Sequence, residues 1–179
     1  MNTTSLLRAL DGLFSRSGLN VHYYVTAADT VYKTVDFTKY PIAIICNTDL
    51  EKDAGKHWIA FWLPEKGVVH YYDSYALPVW KYWNVQVPGE IAMENCNIHQ
   101  SALSNVCGYH CLFYVYNRAI GVSYHDFVNN CYNYNTKFND MMVRRWVTQI
   151  PGLEPCRDYP CYFVKSQKCK CRIACSEFM

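Results

Sequence analysis

The chain has 179 residues, 51% of them hydrophobic and 16% aromatic, with a formal net charge of +2. Such a composition excludes an intrinsically disordered chain, and so small a charge excludes reading nucleic-acid binding from the total alone. No apolar run approaches the ~18 residues needed to span a bilayer, so no membrane partner is expected.

One domain of residues 1–155 is expected, followed by a Cys-rich basic tail over 156–179 that packs on it or extends from it. Ten cysteines raise the question of compartment. The first sixteen residues carry Arg8, Asp11 and Arg16 rather than a basic n-region and an apolar h-region. A reducing, cytosolic or nuclear setting with free thiols is therefore expected, not a secreted disulfide framework.

In chain order, residues 3–17 predict a helix. Leu6, Leu7, Leu10, Leu13 and Phe14 recur at helical spacing, Thr3 or Thr4 can cap it, and Gly18 can end it. Residues 19–40 show no clear period and predict loops with short extended pieces. Ile42-Ala43-Ile44-Ile45-Cys46 reads as a buried strand after Pro41, and residues 47–56 as a polar loop. Residues 57–63 and 68–72 predict a hairpin closed by Pro64-Glu65-Lys66-Gly67. Short strands are expected at 85–87 and 97–99. Gly108 to Ala119 predicts the central helix, Ser123 with Asp126 caps a short one to about Cys131, and 136–149 carries a last helical period. The fold class expected is α+β, a mixed β-sheet flanked by helices.

The residues that carry chemistry sit at element boundaries. If the central helix starts at Cys107, its sulfur lies where unpaired N–H groups and the positive end of the helix dipole favour thiolate. His57 opens the first strand of the hairpin and Asp73 ends the second. An antiparallel pairing places them side by side, with the carboxylate positioned to orient the imidazole. Gln100 stands seven residues before Cys107 in a loop that must bend back, where its amide could join the Cys107 N–H as an oxyanion donor. His70 and His110 are rival bases, each read as a packed or surface histidine. The bland alternative makes His57 a backbone-bonded strand-edge histidine and Cys107 a buried, inert thiol.

His57-Trp58, Asp73, Gln100 and Cys107-Gly108, in that order, resemble the adenovirus-type maturation proteinases (adenain family), relatives of the SUMO- and ubiquitin-like-protein-specific proteases. The resemblance covers residues 40 to 120. It implies an adenain-like fold with the nucleophile at the start of a central helix. It also implies Cys107 as nucleophile, His57 as base, Asp73 as the group orienting it, Gln100 as oxyanion donor and Trp58 lining the substrate cleft. The activity implied is a viral cysteine endopeptidase that cuts structural precursor polypeptides at Gly-containing sites, in the virion and the host nucleus. The expected protein is monomeric, needs no metal or cofactor for its chemistry, and is open to activation by a peptide and DNA, the latter through the basic tail.

Two features depart from the family. A peptide-linking cysteine would lie near Gly89 rather than at Cys96, and the family offers no counterpart for Cys156, Cys161, Cys169, Cys171 and Cys175. That tail leaves three readings open: zinc binding, though without paired CxxC knuckles; phosphate contacts through Lys165, Lys168, Lys170 and Arg172; or a solvated tail. The alternatives for the whole chain are a deubiquitinase- or deSUMOylase-like protease, or a non-catalytic nucleic-acid-binding or structural protein.

Overall fold

The structure, a computed structural model, describes residues 1–150, so the Cys-rich tail lies outside the described residues. The architecture is mixed α/β, a five-stranded mixed sheet with helices, in keeping with an α+β organisation. The strands are β1 (His22–Ala27), β2 (Ile42–Asn47), β3 (Trp58–Leu63), β4 (Val68–Tyr72) and β5 (Glu90–Glu94), and they lie side by side in chain order. β1 runs parallel to β2, β2–β3–β4 is antiparallel, and β5 returns parallel to β4.

Every residue of β3 is buried. The sheet is covered on both faces at its centre, so this strand is apolar throughout instead of alternating. Along β2 and β3, Ala43, Ile45, Trp58, Ala60 and Trp62 face one core. Ile42, Ile44, Cys46, Ile59, Phe61 and Leu63 face the other. The first core is closed by α1 (Thr3–Ser17), α3 (Cys107–Ala119), α4 (Tyr124–Asn130) and α5 (Thr136–Val147). The second is closed by α2 (Val31–Thr34) and the segment around Val79, Val85 and Val87. α3 lies against β3 and β2, with Cys111, Leu112, Phe113, Tyr114 and Val115 all buried.

Several expected elements differ. Residues 19–40 contain β1 and α2; β1 is a half-buried edge strand, so its sequence carries only a weak alternation. No strand forms at 85–87, where the Val85 N–H closes a turn on the Tyr82 carbonyl. The fifth strand is Glu90–Glu94, almost wholly exposed, with the charged residues that keep an edge from pairing further. Residues 97–99 also form no strand, because the His99 and Gln100 N–H groups both donate to the Ser74 carbonyl. The cap of α1 is Asn2, whose Oδ1 accepts from the Ser5 N–H, rather than Thr3 or Thr4. Among the described residues no helix is long and apolar enough to cross a membrane.

Candidate active site

The β3–β4 hairpin brings His57, the residue just before β3, beside Asp73, the residue just after β4. The His57 Nε2 lies 2.8 Å from Asp73 Oδ1, and both side chains are buried. With the carboxylate accepting, Nε2 carries the proton and Nδ1 is left to face the reacting group. Asp73 is fully enclosed and multiply held. Its Oδ1 also accepts from the Tyr75 N–H at 2.8 Å, and its Oδ2 from the Tyr82 hydroxyl at 2.8 Å. Asn95 clamps its backbone: the Asp73 N–H donates to Asn95 Oδ1, and Asn95 Nδ2 donates to the Asp73 carbonyl. The rings of Tyr75 and Tyr82 stand 5.0 and 6.0 Å from the imidazole.

Cys107 is the first residue of α3, 8% exposed. Val106 offers the helix start no side-chain cap, so its first N–H groups stay available to the sulfur. Burial raises the thiol pKa, but the His57 imidazole, with help from the Trp58 and Gly108 N–H groups, outweighs that and holds it below its ordinary value. The reciprocal holds for His57. Burial lowers its pKa, yet Asp73 and Cys107 together lift it to about 9. Nε2 is committed to Asp73 and Nδ1 is buried with no other hydrogen-bond partner, so the interaction with the sulfur falls to Nδ1. Each group thus favours the charged form of the other, the direction of a thiolate–imidazolium pair. Neighbouring thiols behave oppositely: burial pushes Cys46 up to about 12 and Cys111 well above its ordinary value.

Gln100 is buried beside this site, tied to the segment that follows Asp73. Its Oε1 accepts from the Ser74 hydroxyl at 2.7 Å, while Nε2 donates to the Tyr75 hydroxyl and to Ser104, each near 3.0 Å. Both amide protons are thus engaged, and donation to an oxyanion requires Nε2 to exchange one of these partners. Trp58 is largely buried against the start of α3. Its indole N–H donates to the Met1 carbonyl at 3.2 Å, and its ring lies beside Gly108. Its own carbonyl accepts from the Cys111 thiol at 3.3 Å.

The rival histidines stand elsewhere. His70 Nδ1 accepts from Arg118, and burial with that cation lowers its pKa. His110 is fully buried inside a second polar network, between the Tyr132 hydroxyl at 2.9 Å and Asp140 Oδ1 at 3.0 Å. The Tyr132 hydroxyl accepts from Tyr72, whose oxygen meets His99 Nδ1 at 3.2 Å, and His99 Nε2 faces the Val128 carbonyl. Asp140 Oδ2 also accepts from the Ser101 N–H, so this network braces the loop that carries Gln100.

Sequence reasoning did not single out Ser74, Tyr75, Tyr82 or Asn95. Only the apposition of the Asp73 and Gln100 segments gives them a role. Among the described residues, no group of three or more His, Cys, Asp or Glu is placed to hold a metal ion. Cys46, Cys96, Cys107, Cys111 and Cys131 are free thiols. No protein-family model matches the chain, and no curated protein matches it at a significant level.

Proposed function

We propose that the chain is a cysteine endopeptidase of the adenain type, encoded by a virus and acting on precursor polypeptides at Gly-containing sites. The observation that carries this reading is the single imidazole held by Asp73 at 2.8 Å on Nε2 while its other nitrogen is left for a sulfur at a helix N-terminus. The family and substrate class rest on the resemblance carried by the order of His57, Asp73, Gln100 and Cys107.

In this mechanism the Cys107 thiolate attacks the scissile carbonyl, forming a C–S bond and an oxyanion beside the Cys107 N–H. His57 gives its Nδ1 proton to the leaving nitrogen as the C–N bond breaks. A water molecule then loses a proton to His57 and forms the new C–O bond. The C–S bond breaks, and the thiolate–imidazolium pair is restored. Asp73 holds the tautomer and offsets the charge on the ring throughout.

The test is limited alkylation with iodoacetamide near neutral pH, read by mass spectrometry of peptides. Cys107 is expected to label first, ahead of the exposed Cys96 and the buried Cys46 and Cys111. Preferential labelling must disappear in His57→Ala. Labelling of Cys96 alone would sink the reading.

A further inference from the structure

A cavity of about 360 Å³ with charged side chains in its wall opens beside the imidazole, lined by Thr48, Lys56, His57, Lys81, Trp83 and Asn84 together with Asp49 and Tyr82. Its size is at the low end of ligand clefts. Two cations, Lys56 and Lys81, face it from opposite sides of the sequence: one from the loop before β3, the other from the 3₁₀ turn Val79–Lys81. Asp49 is the one acid in the wall. Trp83, 79% exposed, gives a flat apolar side with no partner covering it, and Lys81 is steadied over the Trp80 ring at 5.0 Å.

The direction of the substrate follows from the chemistry above. The leaving nitrogen takes its proton from His57, so the chain that follows the scissile bond must pass within hydrogen-bonding reach of the imidazole. A cavity that has that imidazole in its wall lies on the path of the leaving segment. We infer that this cavity is the subsite for the residues just after the scissile bond, and that Lys56 and Lys81 select an acidic side chain there while Trp83 packs against the peptide. The inference rests on the protease reading for its direction, but the cavity's preference for acidic peptide stands on its own lining. With His57 protonated, three cations face one carboxylate, and an acidic residue neutralises the excess.

The experiment uses full-length Cys107→Ala protein, in which peptide is not consumed. Fluorescein-labelled peptides share a Gly-containing amino-side sequence and differ only in the two following residues: Asp-Asp, Ala-Ala or Lys-Lys. Fluorescence anisotropy is expected to show about tenfold tighter binding of the acidic than of the Ala-Ala peptide at low salt, the product of two exposed charge contacts worth about threefold each, with the basic peptide weaker still. The ratio shrinks as salt is raised. A Lys56→Gln/Lys81→Gln pair in the same background brings it to about 1, while Lys137→Gln on α5 leaves it unchanged. Equal binding of the three peptides, no binding, or an acidic preference that survives the double substitution overturns the subsite. Cleavage of the same peptides by the wild-type chain is scored separately. Acid-preferring binding without cleavage removes the protease and keeps the cavity's preference for acidic peptide, whereas cleavage indifferent to these residues removes the subsite and keeps the protease.

Discussion

His57 makes one hydrogen bond in the resting site, through Nε2 to Asp73, and each of the groups around it has one separable task. Cys107→Ala and His57→Ala are expected to lose cleavage by about 10⁴-fold or more in a fluorogenic peptide assay, because nucleophile and base act as a unit. Asp73→Asn keeps a hydrogen-bonding group but can donate to Nε2 and so favour the wrong tautomer. It should retain measurable activity, reduced by about 10²- to 10⁴-fold. The pH profile follows from the opposed shifts. Activity rises as Cys107 ionises, below the ordinary thiol range, and falls as His57 gives up its proton near its raised value of about 9. A plot of kcat/KM against pH should therefore be bell-shaped, its acid limb displaced below the ordinary thiol range and its alkaline limb near 9. A profile still climbing beyond pH 10 would mean an unassisted thiol.

At the scale of the element, the site depends on three boundaries: the start of β3, the end of β4 and the start of α3. These were legible in the sequence because each shows a change of period or polarity. His57 follows a polar loop and opens an apolar run, Asp73 ends a hairpin strand, and Cys107-Gly108 opens a helix. The segment between Ser74 and Val106 was not legible. Its groups act through tertiary contacts that have no sequence period: Tyr82 reaches Asp73 Oδ2, Asn95 brackets the Asp73 backbone, and Ser74 holds Gln100. β5 escaped detection for the related reason that an exposed edge strand need not alternate. Two substitutions probe these supports. Asn95→Ala leaves the Asp73 N–H buried without its partner, while the carbonyl keeps the Ala76 N–H, and should cost roughly 1–3 kcal/mol, read as a lower Tm. Gly55 has φ of +76° and lies where an added Cβ would come 2.2 Å from Asn47 Nδ2. Gly55→Ala should displace the loop leading into His57 and lower kcat with the fold intact by circular dichroism.

Across the whole molecule, pH acts on stability through two separate groups of residues. Within the candidate triad, folding favours a proton on His57 and disfavours one on Cys107. The His57 contribution, complete below about pH 6.5, is lost as pH rises through 9, while the depressed Cys107 pKa contributes oppositely over an overlapping range. The two contributions oppose each other across that range. In the second network the two shifts run the same way. Burial, with the nearby His110, pushes His99 down to about 4, so between pH 6.5 and 4 the unfolded chain binds a proton that the folded chain refuses. Stability should fall across that window by about 3 kcal/mol, and His110, its pKa also lowered by burial, adds to the loss. A drop in Tm of at least about 6 °C between pH 6.5 and pH 4 is expected by calorimetry, and a flat acid limb would contradict it.

The row that runs from Val128 through His99, Tyr72, Tyr132 and His110 to Asp140 has five contacts, but its two neutral rings and two hydroxyls carry only four hydrogens to fill them. The Val128 carbonyl can only accept, so His99 carries its proton on Nε2; the Tyr72 hydroxyl donates to Tyr132, and the contact left without a hydrogen is the one between His99 Nδ1 and the Tyr72 oxygen. Two lone pairs therefore confront each other 3.2 Å apart, where the loop bearing His99 meets the end of β4. That is the weakest joint in the polar interior, and the first place where the loop that holds Gln100 should part from β4.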